Sequence, residues 1–372
     1  MKIAILTPGG VDRSGTERVI PCLLWLIERL VRVGDEVHVF ALNQEPSPGR
    51  WRLLGAEIHN AGRRPQSLIL LSLLLGEHRR RPFDVLHAFW AAGPGTVGAA
   101  AALLLRVPLL LTLPGGDVAN HPSIGYGGRL SLAGRIRLGL ATATADMITV
   151  PSDTMREQAR QAGISAVTLP LGVALDRWPL RQPRARNGSA PVRLLHVGSL
   201  NPVKNQEMLL QAVAILKDQG FSFELQVIGW DTFGGVIQRR AIELGLVDRV
   251  CFRGFMPHAE LRTWFEWADL LVVSSIHEAG PLVMLEAAIA GVPTIGTSVG
   301  HIADFAPEAA IAVAVGDSMG MANAILHLAT DENKRLRLAA IAQQRARWAD
   351  ADFTAAHFRR FYEDLGTSAA SA

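Results

Sequence analysis

Short apolar runs alternate with amphipathic stretches along almost the whole chain, and this rhythm restricts the fold more than any other feature. Residues 2–6, 36–42, 85–89, 108–112, 147–150 and 167–169 have the length and the Val/Ile/Leu content of buried strands. Between the first two, residues 16–33 carry apolar positions at helical spacing and stop at Gly34, suited to the left-handed turn that closes many helices. At 177–191 the rhythm fails: RWPLRQPRARNGSAP has no apolar periodicity and is rich in Pro, Arg and small residues. Strand-like runs restart at 192–197, 224–228, 250–253, 270–274 and 293–297. Such alternation builds parallel sheets covered by helices on both faces. The expected architecture is α/β, with Rossmann-like domains at 1–176 and 192–345 joined by a linker at 177–191. A closing segment at 346–372, with Trp348, Phe353, Phe358 and Phe361 near helical spacing, is expected to pack back across the domains. Two facing sheets of this kind would hold a ligand cleft between their strand ends.

Composition agrees with two cores: of 372 residues, 49% are hydrophobic and 19% charged, which excludes a disordered chain. Cys22 and Cys251 fall in different expected domains, which points to a reducing compartment and no disulfide framework. The apolar start of the chain is broken by Pro8, Gly9 and Gly10, so a buried strand is expected there and not a secretory signal. The longest charge-free apolar stretch, 67–76, is about half the ~20 residues that a membrane span needs. A soluble, cytoplasmic protein is expected, with a peripheral place at the inner face of a membrane left open. Up to Arg181 there are 20 basic and 14 acidic residues, and beyond it 17 basic and 20 acidic. Basic clusters at Arg63-Arg64, Arg79-Arg80-Arg81 and Arg129/Arg135/Arg137 would favour an anionic membrane surface or a phosphorylated acceptor. Solvated helix ends explain the same residues. The stretch 67–76 is either a membrane-facing helix or an ordinary core helix. No recognition motif or aromatic stacking series points to nucleic acid.

The densest chemistry lies in Ser274-Ser275-Ile276-His277-Glu278-Ala279-Gly280-Pro281-Leu282-Val283-Met284-Leu285-Glu286-Ala287. A strand is expected to run out at Ser274, and Pro281 suits the first position of a helix. The N–H groups from Gly280 to Val283 would then lack helical partners and point outward, a natural cradle for a diphosphate. Glu278 falls before the helix and Glu286 more than one turn inside it, so the two carboxylates cannot do the same job. Glutamates around a helix start also occur simply as dipole-compensating surface residues.

With seven residues between them, Glu278 and Glu286 resemble the E-x7-E motif of the retaining GT-B glycosyltransferases of family 4. Ala287-Ala288-Ile289-Ala290-Gly291-Val292-Pro293-Thr294-Ile295 is similar to that motif's EAxAxGxPxI continuation. The resemblance covers nearly the whole chain, strongest from 192 to 297 and weakest from 43 to 81. It implies a GT-B fold of two facing Rossmann-like domains, a nucleotide-sugar donor and a hydroxyl-bearing acceptor (lipid carrier, polysaccharide or small metabolite). It also implies no metal and no cofactor. By the same resemblance Glu278 would hydrogen-bond the donor sugar near its reacting face, Glu286 would bind the ribose hydroxyls, and Gly280, Pro281, Leu282 and Val283 would frame the diphosphate.

Leu195-His196-Val197-Gly198-Ser199-Leu200-Asn201-Pro202-Val203-Lys204-Asn205-Gln206 resembles the family's G-R-L-x3-K-G loop. Lys204 aligns with the lysine that neutralises the departing diphosphate. Ser199 stands where the family has arginine, which leaves one fewer fixed cation. Val227-Ile228-Gly229 and the run from Val250 to Gly254 and Phe255 are similar to strand ends that line the base pocket. Ser14-Gly15-Thr16-Glu17-Arg18 resembles the G-G-x-E-R start of the first helix, where Gly15 would let backbone approach the donor; alone it is also a plausible helix cap. Thr112-Leu113-Pro114-Gly115-Gly116-Asp117 is similar to T-x-H-G-x-D with Pro114 in place of histidine. Asp117 either contacts acceptor or sugar hydroxyls or holds a turn. His87 belongs to a strand similar to H-x-H with Phe89 at the second histidine, and is either an acceptor contact or a buried histidine.

The implied reaction retains anomeric configuration without a protein nucleophile, relying on orientation and electrostatics. The Asp350-Ala351-Asp352 triplet sits in the terminal helical segment and is expected at the surface, not on a metal. A catalytically weak nucleotide-sugar-binding subunit is the main alternative, kept open by Ser199 and Pro114. No Gly-x-Gly-x-x-Gly follows the first strand, which argues against a dinucleotide oxidoreductase.

Overall fold

The computed structural model describes residues 1–63, 65–186 and 190–370. Arg64, and Asn187, Gly188 and Ser189 of the segment at 177–191, lie outside the described residues, as do Ser371 and Ala372. The chain divides into two compact units, Leu175–Asp350 and a unit made of Met1–Ala174 plus the residues from Ala351 onward.

The N-terminal unit contains β1 (Lys2–Thr7), α1 (Pro21–Arg32), β2 (Glu36–Ala41), β3 (Gly49–Leu53), β4 (Ala56–Asn60), α2 (Gln66–Arg80) and β5 (Val85–Phe89). It continues with α3 (Thr96–Leu105), β6 (Leu109–Thr112), α4 (Leu132–Thr144), β7 (Met147–Val150), α5 (Asp153–Gln161) and β8 (Val167–Thr168). The strand order is β3-β4-β2-β1-β5-β6-β7-β8, with only the β3–β4 pair antiparallel. β1 is central and every residue in it is buried, as a continuous apolar run requires. The first helix starts at Pro21, five residues later than the apolar spacing suggests. Ile20 N–H donates to the Gly10 carbonyl at 3.0 Å and Gly10 bridges Val19, so 16–20 is tied to the first loop before Pro21 begins the helix. Gly34 closes it with φ +93°.

The β3–β4 hairpin was not expected from the sequence. Its two-residue turn places Leu54 at φ +52° and Gly55 at φ +85°, the left-handed pair that matches strand twist, but Leu54 gives no turn signal. Residues 67–76 lie in α2, where Leu70 and Leu74 are buried and Leu68 is exposed, so this helix packs on the sheet by one face.

The C-terminal unit contains β9 (Val192–Val197), α6 (Gln206–Asp218), β10 (Phe223–Ile228), α7 (Val236–Glu243), β11 (Val250–Gly254), α8 (His258–Trp267) and β12 (Leu270–Val273). It is completed by α9 (Leu282–Ile289), β13 (Thr294–Thr297), α10 (Gly300–Phe305), β14 (Ala310–Val313), α11 (Ser318–Thr330) and α12 (Glu332–Trp348). All its strands are parallel, in the order β11-β10-β9-β12-β13-β14. β14, a four-residue edge strand, was also missed in the sequence. The segment read as a linker runs along this unit: Trp178 is buried and Arg181 N–H donates to the Ile289 carbonyl at 3.0 Å.

The closing segment at 346–372 does not form one continuous helix. α12 ends at Trp348, which is 74% exposed, and α13 (Ala351–Ala370) begins after a break at Ala349–Asp350. α13 completes the N-terminal unit: Phe358 and Tyr362 are fully buried among Ile3, Ile5, Ile27 and Val85. Burying two such side chains contributes roughly 2–3 kcal/mol each. Asp352 is exposed, as expected, and accepts from Arg29 Nε at 2.8 Å, which ties the start of α13 to α1. No described helix is long and apolar enough to cross a membrane.

Candidate active site

In an open parallel sheet, the loops leaving two neighbouring strands diverge where the winding direction reverses, and a crevice opens there. In the C-terminal unit this reversal lies between β9 and β12. The loop after β9 carries Gly198, Ser199 and Lys204; the loop after β12 carries Glu278 and Gly280. Two hydrogen bonds tie the loops together: Ile276 N–H donates to the Val203 carbonyl at 2.7 Å, and Ser274 Oγ donates to the Lys204 carbonyl at 2.8 Å. Lys204 Nζ thereby meets Glu278 Oε1 at 2.5 Å, and Ser275 Oγ donates to the same oxygen at 2.6 Å. The side chains of this pair are 25% and 12% exposed, so the ions sit in a recess but stay within reach of solvent.

Buried partners fix the first loop from below. His196 on β9 donates through Nδ1 to the Val272 carbonyl and accepts at Nε2 from Gln206, which also donates to the Ser199 carbonyl. Both nitrogens are committed in the neutral ring, and burial holds its pKa down at about 4. A Cβ added at Gly198 would lie 3.5 Å from the Lys204 side chain, ordinary van der Waals contact, so the lysine stem packs directly over this loop.

Glu286 lies inside α9, only 3% exposed. His258 Nε2, at the start of α8, meets its Oε1 at 2.5 Å, and Trp178 Nε1 donates to its backbone carbonyl at 3.1 Å. The Trp178 and His258 rings pack at 4.9 Å between centroids. Pro281 occupies the cap position with ψ 110° and not the first helical position, so α9 proper begins at Leu282. Gly300, at φ +48°, closes behind this turn, where a Cβ would stand 2.9 Å from the carbonyls of Glu278 and Ala279. Lys204, Glu278, Gly280, Pro281, Leu282, Val283 and Glu286 are therefore brought together by one loop pair and one helix start. Gly254, at φ +71°, ends β11 and Phe255 follows it; Phe255 is exposed and meets exposed Trp230 edge-to-face at 6.3 Å.

Gly15 lies in the N-terminal unit, in the loop after β1, at φ +67°. Its N–H donates to the Asp12 carbonyl, and Asp12 pairs with Arg18 and accepts from Ser14. Asp117 holds the turn after β5 by accepting from Ala91 N–H at 2.8 Å. Its Oδ2 is buried without a partner, and burial pushes its pKa up to about 6. His87 is not an acceptor contact. It is fully buried, with Tyr362 Oη 2.7 Å from Nδ1 and Thr112 Oγ1 2.7 Å from Nε2, and burial lowers its pKa to about 3.

Among the described residues, His38, Glu57 and His59 bring potential metal-ligating atoms within 4.8 Å of one another. Their nitrogens are already used in a directional chain. Arg50 Nε donates to His59 Nδ1, leaving His59 Nε2 to donate to His38 Nδ1 and His38 Nε2 to donate to Glu36. This is a satisfied polar network at the sheet edge. His258 and Trp178 were missed in the sequence because no spacing relates them to Glu286; only the fold brings them there.

The family model described as "Glycosyl transferases group 1" matches residues 176–345, and that described as "Glycosyltransferase Family 4" matches residues 22–177. A D-inositol 3-phosphate glycosyltransferase of Thermomonospora curvata is 26% identical over 93% of this chain and 90% of its own length. Its namesake from Streptomyces avermitilis is 29% identical over 60% of this chain, and the match spans about half, 53%, of that relative's length. Among solved structures, the sucrose-phosphate synthase of Thermosynechococcus elongatus superposes with a TM-score of 0.81 at 20% identity, covering 99% of each chain.

Proposed function

The chain belongs to the GT-B glycosyltransferases of the family 4, group 1 type, and from that premise we propose that it is a metal-independent, retaining transferase that moves a sugar from a nucleoside diphosphate to a hydroxyl. The observation that carries this reading is the Lys204–Glu278 pair at the β9/β12 reversal, with Glu286 buried one helix start away.

Each group has a task its surroundings suit. The unpaired N–H groups at the start of α9, with Lys204 opposite, receive the diphosphate. Glu286, set by His258 and Trp178, accepts hydrogen bonds from the ribose hydroxyls. Glu278 holds a donor-sugar hydroxyl, and the diphosphate draws Lys204 from it. As the anomeric C–O bond breaks, its electron pair moves to the phosphate oxygen, where Lys204 stabilises the new charge. The acceptor oxygen bonds to the anomeric carbon on the same face and passes its proton to the departing phosphate, which retains configuration. The relatives' name makes D-inositol 3-phosphate one acceptor to test, beside lipid-borne and polysaccharide hydroxyls.

Calorimetric titration with UDP, GDP, ADP and their sugar conjugates tests the site. One nucleotide series should bind, and Glu286→Gln should weaken it by about tenfold or more. Slow donor hydrolysis should accompany binding, and NMR of the glycosylated product should show the donor's anomeric configuration. Binding with neither hydrolysis nor transfer would favour the non-catalytic subunit, and no binding by folded protein would reject the site.

A further inference from the structure

α4 is apolar on two opposite sides, and only one of them has a partner within the fold. At 100° per residue, Leu132, Ile136 and Leu140 fall within about 80° of each other, with Gly139 and Ala143 in the same stripe. All five are exposed, Leu132 at 68% and Leu140 at 59%. Leu138 and Ala141, the residues buried against the unit, point the opposite way. Arg135 falls on one flank of the outward stripe and Arg137 on the other, both exposed. α3 packs beside α4 and ends in Leu103, Leu104 and Arg106, also exposed.

The charge around this surface is one-sided. From Gly62 to Asp146 the sequence carries nine arginines and four acids. None of the acids answers the arginines of the surface: Glu77 pairs with Arg50 and Arg80, Asp84 accepts from Lys2 N–H, Asp117 is buried, and Asp146 accepts from Leu109 N–H. Elsewhere on the molecule exposed arginines do pair, as Arg160 does with Glu157 and Arg13 with Glu45. Among the described residues, Arg106, Arg129, Arg135 and Arg137 form no ion pair.

We propose that the α3–α4 face of the N-terminal unit docks on the surface of an anionic lipid bilayer. An outward leucine stripe bracketed by unpaired arginines matches that partner in both of its layers: the apolar side chains reach the acyl boundary while the guanidinium groups meet headgroup phosphates. Arg135 and Arg137 stand on opposite flanks of the stripe, so positive charge faces the partner on both sides of its apolar centre, as a layered anionic surface requires. The surface is independent of the donor-site reading, and nucleotide titration tells the two apart.

The test is flotation of the full chain with phosphatidylcholine vesicles and with vesicles one-third phosphatidylglycerol, at low and high salt. The protein should float with the anionic vesicles at low salt and be lost as salt rises. Arg135→Gln and Arg137→Gln should each weaken partitioning about fivefold. Combined Leu132→Ser, Ile136→Ser and Leu140→Ser should weaken it at least about tenfold, with nucleotide binding and Tm unchanged. Should the triple variant fail to fold, the arginine variants and their salt dependence carry the test. Absence from anionic vesicles, equal recovery on neutral ones, or undiminished binding by the variants overturns the proposal. A wild-type dimer abolished by the serine variant would do the same, assigning the face to a second copy.

Discussion

Glu286 and Glu278 are eight positions apart and differ in what surrounds them, so their removal should be felt differently. Glu286 is buried and hydrogen-bonded by a histidine, and the loss of its charge should cost nucleotide affinity by about tenfold or more. His258→Ala should weaken the same affinity by about two- to fivefold and leave kcat nearly unchanged, because it removes the holder and not the contact. Glu278→Gln should lower kcat more than it raises KM, by initial rates at saturating donor; an unchanged kcat would remove Glu278 from the reacting end. Asp117 offers a pH test with a definite sign. Its carboxyl titrates at about 6 in the fold, against 3.8 for the ordinary group, so the unfolded chain releases this proton first. The group therefore subtracts stability as pH rises from about 4 to about 6, and the loss persists above. Asp117→Asn, which keeps an acceptor for Ala91 N–H, should raise stability at pH 8 by on the order of 1–3 kcal/mol and change it little at pH 4. Equal Tm shifts at both pH values would place the cause elsewhere. His87 has the opposite sign, because a histidine held neutral down to about 3 costs stability as pH falls below about 6.5.

Among the elements, α13 makes the sharpest demand. It supplies Phe358 and Tyr362 to the N-terminal core, and Tyr362 hydroxyl meets buried His87. Ending the chain at Asp350 should leave that core open and give insoluble protein, whereas Tyr362→Phe should cost only about 1 kcal/mol by denaturant titration. Elements whose stabilising face is continuous in sequence were legible: β1, β5, β7 and β9 end within a residue of expectation. β3 was not, because Arg50 and Arg52 alternate with Gly49 and Trp51 on an edge strand of mixed polarity. The break at Ala349–Asp350 was hidden for a related reason: helical spacing of aromatics continues across it, yet Trp348 points to solvent and Phe358 to the core. In the site, the residues that contact one another through neighbouring loops were readable from the motif. Trp178 and His258 were not, because each is distant in sequence from the glutamate it positions.

At the scale of the whole molecule, the nucleotide contacts proposed from Lys204 to Glu286 fall within the C-terminal unit. Saturation at a hundredfold excess over Kd stabilises the bound state by about 2.7 kcal/mol. Hydrogen exchange should therefore slow chiefly in β9, α6, β12 and α9, with β6 and β7 unaffected. Protection spread evenly over both units would contradict that placement.

The return of α13 to the first unit also sets an order of events during synthesis. Residues 1–174 leave the ribosome first, but their core still lacks the aromatic side chains that come after Asp350. The sequence of the later unit is complete at Asp350 while the first still awaits the residues beyond it, so the domain begun first is the last to gain its whole core. Until then the earlier one waits with an apolar seam beside β1 and β5, a reversal of the usual vectorial order and a period when chaperone capture would matter most.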